Sequence, residues 1–364
     1  MPRGYRVSGH GSAREGGTIE KPKRFRAILV ALVALGVAAA AWYQFRKIGF
    51  EWQEFVRSLA RLDGRWLAAS AALALATYYG RALRWAVMLR PLRPHPSLWN
   101  LFKATAIGFT AIVLFGRAGE FVRPYLIATK EDVPVTSQLA AWVLERVYDL
   151  IMALLIFGFA LGQIRKAEVA VGPALQWTFQ VGGWVVFVVC SLCLLFLVLL
   201  RTHTDVLRRR LLDSLGFLHH HHLTRIEKLL SSFLLGVESA KSGAAVAQVV
   251  AYTVLEWVLI AACYVCIMKS FSGIRDFTLL DILIFMGFVA FGAVVQLPGI
   301  GGGVQVVAVV VLHELFGVPL EAASGMAVAV WAITFIVVVP VGLPLAFYEG
   351  LNWKKLKSLG QDLD

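Results

Sequence analysis

Long apolar runs alternate with short polar breaks along this chain, and that rhythm sets its elements. Uninterrupted apolar stretches close to twenty residues long recur, enough for a helix to cross a hydrocarbon core of about 30 Å. They predict helices over Arg26–Phe45, Trp66–Trp85, Leu98–Phe115, Gln138–Gln163, Trp177–Leu200, Ala244–Met268, Asp281–Leu297, Val304–Phe316 and Ala322–Phe347. Between the first two, Trp52, Phe55, Leu59 and Leu62 recur at helical spacing among Glu, Arg and Gln. That segment is amphipathic and is expected to lie in the membrane interface. The fold class expected is all-α: a polytopic membrane helix bundle.

Loop charge orients the spans. The leader before Arg26, the Arg81–Pro96 segment and the loop after Leu200 with Arg208-Arg209-Arg210 are basic and should all be cytoplasmic. Full crossings by every run would place the last of these outside. The conflict disappears if Leu98–Phe115 dips in and returns near Arg123, with Gly116, Gly119 and Pro124 helping the reversal. Later, Pro298-Gly299-Ile300-Gly301-Gly302-Gly303 is a cluster that no continuous helix survives. Two re-entrant hairpins of opposite sense follow, and with them an inverted repeat, a transporter design.

Composition agrees with the pattern. Of 364 residues, 59% are hydrophobic and 16% charged, with mean hydropathy +0.71; a globular domain carries nearer a quarter charged residues. The polar stretches are too short for an appended soluble catalytic domain. The first run ends in Trp42-Tyr43-Gln44-Phe45, not in a small-residue cleavage pattern, so it reads as a retained anchor. The net charge of +12 points to anionic lipid at the cytoplasmic face, and no base-reading module supports nucleic acid as a partner. Cys190/Cys193 and Cys263/Cys266 have zinc-like spacing but lie within apolar helices, where they read as packing residues. His219–His222 reads as a solvated loop. No metal or cofactor is expected.

Chemistry is sought where charge meets apolar sequence, because an isolated intramembrane charge is costly and must pair or face a polar cavity. Arg117, Glu120 and Arg123 form one cluster; Glu145, Arg146 and Asp149 form another. Glu145 and Asp149 are four apart and share a helix face. Two readings stand. Either the groups form an internal ion-pair network, with an acid neutralising Arg117 or Arg123, or they cradle a lipid headgroup, since the arginine fork grips phosphate with two hydrogen bonds. Arg84, at a helix end beside Trp85, reads as a snorkelling anchor. Glu256, mid-run beside Trp257, is a candidate proton site unless it pairs with an arginine. The glycine cluster lacks the Lys-Ser/Thr of a nucleotide loop, yet its backbone amides at Gly299 and Gly301, with Gln296 and Gln305, can hydrogen-bond a headgroup.

Three motifs in order, Gly-Arg-x-Gly-Glu-x-x-Arg at Gly116–Arg123, Glu-Arg-x-x-Asp at Glu145–Asp149 and Leu-Pro-Gly-x-Gly at Leu297–Gly301, resemble the flippase-like family. This is the transmembrane region found at the start of lysylphosphatidylglycerol synthases, and the resemblance covers nearly all of the chain after about Trp42. It implies a bacterial or archaeal cytoplasmic-membrane protein that moves lipids or lipid-linked intermediates between leaflets. The lysine-transferring activity of the synthases belongs to a separate soluble domain, so no enzyme activity is implied. The expected organisation is a basic cytoplasmic tail over 1–25, a transmembrane flippase-like domain over 26–348 and a cytoplasmic tail over 349–364. The expected partners are a phospholipid or lipid-linked headgroup, with a homo-oligomer as an option. The alternative function is a non-transporting membrane subunit that assists a cell-envelope or glycolipid enzyme. The chain departs from the family in having Gln305 and Val306 where Arg or Glu often follows the glycines, and Trp331 where the last helix commonly has Arg.

Overall fold

The computed structural model describes residues 49–166, 173–202, 229, 231–271, 273–292, 296–297 and 301–350. The expected anchor at Arg26–Phe45, the Arg208–Arg210 and His219–His222 segments, the tail over 1–25 and all but the first two residues of the tail over 349–364 lie outside them. Chain contacts divide the protein after Glu51, and the unit from Trp52 onward carries everything below.

This unit is helical, as the apolar pattern predicts. A short amphipathic helix, α1 (Trp52–Ala60), leads into α2 (Gly64–Leu89). Then come α3 (Leu98–Phe115), a 3-10 turn (Gly116–Phe121), α4 (Val122–Glu131), α5 (Val135–Lys166) and α6 (Pro173–Thr202). After the segment outside the described residues, α7 (Gly243–Ser270) and α8 (Leu279–Gly292) lead to a two-residue antiparallel ladder, β1 (Gln296–Leu297) with β2 (Gly301–Gly302). The chain ends in α9 (Gly303–Val310), a π turn (Val311–Leu315), α10 (Leu320–Phe335), a 3-10 turn (Ile336–Val338) and α11 (Val339–Tyr348). The helix expected over Asp281–Leu297 is described from Leu279 to Gly292, and Gln296–Leu297 at its expected end are extended in the ladder instead.

Four helical stretches are long and apolar enough to cross a membrane: Leu98–Glu131, Val135–Ile164, Gly243–Ser270 and Leu320–Tyr348. The first does not run straight. A straight helix of that length would part its ends by roughly 50 Å. Instead the Glu131 carboxylate, buried at the end of α4, accepts from the Ser97 backbone N–H at 3.2 Å and from Asn100 Nδ2 at 2.9 Å at the start of α3. The segment is a closed helical hairpin. Glycine permits it: a Cβ at Gly119 would sit 2.3 Å from the Ala111 carbonyl carbon, and one at Gly108 would sit 2.6 Å from Arg123 Cβ. Gly116 ends α3 at φ 68°, a conformation that costs glycine little.

A second hairpin is built from α8 and α9. Its limbs meet where a Cβ on Gly292 would lie 2.6 Å from the Gly303 carbonyl oxygen. Its neck is tied by Arg275, which donates to the Phe316 carbonyl at 2.5 Å and lies 3.7 Å from Asp281. The β1 strand at its tip packs against the Gly116–Phe121 turn, so the two tips meet.

α2 and α7 form the antiparallel spine. Asp63 N–H donates to the Ser270 carbonyl at one end, Cys263 Sγ donates to the Ser70 carbonyl, and Arg90 donates to Gln248 at the other end. The hairpins enter beside opposite ends of this pair. α3 packs along α11, and α8 packs along α5. Each hairpin organises its own apolar cluster. One gathers Trp85, Met88, Leu101, Ile107, Ile127 and Leu144; the other gathers Phe157, Ile267, Phe285, Leu312, Met326 and Val330. Large apolar side chains also face outward, Phe159, Trp184, Phe187 and Val258 among them. In water these would be a liability; exposed apolar surface of this kind suits contact with lipid.

Pro340 has no N–H for the Ile336 carbonyl, and the last span tightens into its 3-10 turn at that point. The Tyr78 hydroxyl donates to the Thr334 carbonyl at 3.1 Å, and Thr110 reaches the Val338 carbonyl at 3.4 Å. Beyond the turn, Glu349 clamps the end of α11 to both limbs of the first hairpin, through Lys103 on α3 at 2.5 Å and Lys130 on α4. Hydrogen bonds from these two lysines hold the Glu349 carboxyl below its ordinary range. A depressed carboxylate stabilises the fold fully above the ordinary range and loses that contribution as pH falls through the lowered value. The melting temperature of Glu349→Gln is therefore expected to lie below that of the unmodified chain at neutral pH and to converge with it in acid. A constant difference across the pH range would show that the clamp contributes nothing through its charge.

Candidate functional site

Charged side chains from α2, α4, α5 and α7 converge between the spine and the first hairpin. Arg84 is at the centre, with no exposed surface. Its Nη1 donates to Asp149 Oδ1 at 2.6 Å and to Thr253 Oγ1 at 3.0 Å; its Nη2 donates to Glu145 Oε1 at 2.6 Å and to Asp149 Oδ2 at 3.2 Å. Glu256 Oε2 lies 3.3 Å from the same nitrogen. Arg123 grips Glu145 with both ends of its fork, and its guanidinium stacks over the Trp85 ring at 4.2 Å. Trp85 in turn donates Nε1–H to Gln138 at 2.9 Å. Arg81 pairs with Glu256 and lies over Phe109 at 4.7 Å. Arg146 reaches Glu145 at 3.2 Å and Asp149 at 3.5 Å, and its side chain is 40% exposed.

Local sequence brings these groups together. Arg81 and Arg84 are three apart, so they share one face of α2. The antiparallel register of the spine sets Glu256 and Thr253 opposite them. Glu145 and Asp149 project from one face of α5, and the close approach at Gly108 fixes where Arg123 enters. Burying guanidinium and carboxylate groups is costly unless they are paired, and each of these has a partner of opposite charge.

Several expectations change. Arg84 is no snorkelling anchor but, like Glu145, a fully enclosed charge, because α5 and α7 supply the acids that pair with it. Glu256 is not a lone acid: it answers Arg81 and Arg84. Arg123 pairs with Glu145, the ion-pair reading of those two motifs. Arg117 is exposed on the 3-10 turn, and Glu120 is half-buried on the same turn, where its charge acts on Arg146. In the second hairpin, Gln296 pairs with Gly302 across the ladder and Gly301 pairs with Leu297. Gln305 Oε1 accepts from the Gly302 N–H at 2.7 Å and so caps the start of α9. Gly299 lies outside the described residues. Arg81, Arg84 and Thr253 belong to the network without belonging to any of the three motifs. The signal for them was present: two arginines on one face of an apolar run, and a single acid mid-run in another.

Among the described residues, four arginines and three carboxylates make up the buried network, which leaves one positive charge uncompensated. Glu120 and Arg117 on the adjoining turn add one charge of each sign. The donors are also unevenly spent. Both terminal nitrogens of Arg84 and of Arg123 are committed to carboxylates. The Nε–H groups of Arg81, Arg84 and Arg146 are buried without a hydrogen-bond partner. Arg146 therefore combines a buried Nε–H without a partner with a side chain that is 40% exposed.

Residues 27–342 match the family model described as the lysylphosphatidylglycerol synthase TM region, and the chain belongs to that family. A stretch of 99 residues, 27% of this chain, is 30% identical to the glycosyltransferase AglD of Haloferax volcanii, of which it covers 16%. No solved structure matches the chain.

Proposed function

We propose that this family member carries a lipid or lipid-linked intermediate across the bilayer by receiving its anionic headgroup at the arginine network. The carrying observation is the surplus of guanidinium groups in a buried cluster that opens at Arg146. A phosphate oxygen is a strong acceptor, and arginine can meet it with two donors while staying charged. Arg146 and Arg81 are the receiving groups, with Arg117 at the entrance. Arg84, Arg123, Glu145 and Asp149 hold the receiving groups in place. The protein performs no bond chemistry; it provides a polar path through hydrocarbon.

The membrane placement follows from the same logic. The two hairpins dip in from opposite sides and meet near the midplane, and the two halves of the chain form an inverted repeat. The support is the entry of the hairpins at opposite ends of the α2–α7 spine, the contact of their tips, and the matched packing of α3 on α11 and α8 on α5. Irregular backbone at such depth survives where protein covers it, and each tip covers the other. The end with Arg90, Arg93 and Lys130 is cytoplasmic by the excess of basic side chains, which puts the tail after Glu349 on that side.

The test is translocation of a fluorescent phospholipid in proteoliposomes. Arg146→Gln should keep the fold, because Glu145 retains Arg84 and Arg123. Losing a charge-assisted contact worth about 1.5–3 kcal/mol should slow translocation roughly 10- to 100-fold. An unchanged rate would defeat the reading. The likeness to part of a glycosyltransferase favours a second reading, a membrane region that serves a lipid-linked sugar enzyme. Under it the purified chain translocates no lipid and binds a protein partner instead.

A further inference from the structure

A shallow groove of about 360 Å³ lies on the flank of the first hairpin, lined by Tyr79, Leu98, Trp99 and Phe102. Every lining group is apolar or aromatic. Trp99 stacks on Phe102 with ring centroids 5.6 Å apart, and Tyr79 tilts against the same ring at 6.4 Å. Trp99 is 60% exposed and stands in the first turn of α3.

The groove leads inward. Between Leu101 and Ala111, α3 is buried except at Phe102 and Phe109. These two are seven apart, so they fall on one stripe of the helix. Tyr78 packs edge-on against Phe109 at 5.1 Å. Above the Phe109 ring sit the guanidinium groups of Arg81 at 4.7 Å and Arg123 at 5.4 Å. Arg81 is 14% exposed and keeps a buried Nε–H without a partner. An aromatic track therefore begins at the hydrocarbon-facing surface and ends at a cation with donor capacity to spare.

We infer that this track is the lateral lipid site: an acyl chain lies in the Tyr79–Leu98–Trp99–Phe102 groove while the anionic headgroup of the same lipid reaches Arg81 past Phe109. The inference rests on the reading of the arginine network as a headgroup site. Its occupant is a lipid, because one end of the track matches hydrocarbon and the other matches phosphate, joined by about two turns of α3 between Phe102 and Phe109. The outward face of α6, with Trp184, Phe187, Leu194 and Leu195, is just as apolar and more exposed. No described charge terminates it, so it serves as the control for ordinary annular lipid.

The experiment uses the full chain in phosphatidylcholine nanodiscs, with a trace of phosphatidylglycerol bearing a diazirine near the end of one acyl chain. After illumination, mass spectrometry locates the adducts. The expected result is severalfold more label on Tyr79 and the Leu98–Phe109 stretch than on Trp184–Leu199, with the excess competed by unlabelled phosphatidylglycerol. Arg81→Gln should remove that excess, while a diacylglycerol probe with the same tail, lacking the phosphate, should label both variants alike. If Arg81→Gln does not fold, Arg81→Lys keeps the charge beside Glu256 and loses the fork, and a partial loss is expected. Equal labelling of groove and α6 would mean annular lipid only and would overturn the inference. Groove labelling indifferent to Arg81 would overturn the link to the headgroup, and leave the pocket reading to be judged by the Arg146→Gln translocation assay.

Discussion

Arg84→Met is expected to be the most damaging single substitution in the described protein. Arg84 is completely buried, and it satisfies Asp149 with two hydrogen bonds, Glu145 with one and Thr253 with one. Without it, Glu145 keeps Arg123 and Arg146, Glu256 keeps Arg81, and Asp149 keeps only the longer 3.5 Å contact to Arg146. A buried network that carries one surplus positive charge then carries none, and its central carboxylates lose their shared partner. Breaking a buried ion pair from one side costs about 3–5 kcal/mol, a large share of a typical folding free energy of about 5–15 kcal/mol. A thermal shift of about 10 °C downward is expected from detergent-solubilised protein, with reduced folded yield on size exclusion. Arg84→Lys should fall between, since it keeps the charge but cannot bridge three acceptors in a plane. A melting temperature unchanged in Arg84→Met would show that the network is not what joins the spine to the first hairpin.

The second large effect is expected at Gly119. Even an alanine Cβ there would lie 2.3 to 2.5 Å from the carbonyl carbon and oxygen of Ala111 and the nitrogen of Ile112. All three are backbone atoms of the facing helix, so no rotamer change relieves the clash. Gly119→Ala must push the turn away from α3, and overpacking of this kind costs about 1–3 kcal/mol or more. Closure of the hairpin can be read directly. Asn100 and Glu131 hydrogen-bond across its neck at 2.9 Å, so a cysteine at each position, in a background with the four native cysteines replaced, should be joined by a short bifunctional thiol reagent. Adding Gly119→Ala should lower the cross-linking yield several-fold and weaken lipid translocation with it. Undiminished cross-linking would show that the reversal does not depend on this close approach.

These two residues also mark the limits of reading the chain in one dimension. The hairpin was legible. Gly116, Gly119 and Pro124 interrupt an apolar run in a way that local backbone chemistry disfavours for a straight helix. The glycine cluster after Leu297 was legible as a break for the same reason, although the short ladder it forms was not. Arg84 was misread. In isolation α2 offers it only a helix end and a neighbouring tryptophan, and from those alone an arginine turns toward water. Glu256 was half-read, since its need for a partner was evident and the partner's identity was not. The cysteine pairs were legible, because their apolar neighbours made them packing residues, and Cys263 indeed lies buried against the Ser70 carbonyl.

By itself the sequence determined that this chain is a bundle of apolar helices long enough to cross a membrane, because hydrophobic length is a property of consecutive residues. It also determined that Glu145 and Asp149 need partners, because charge within hydrocarbon has no other outlet. Only the tertiary structure decided which acid answers which arginine, and therefore which arginines keep donors to spare. That choice belongs to helices far apart in the chain, whose relative register no local signal encodes.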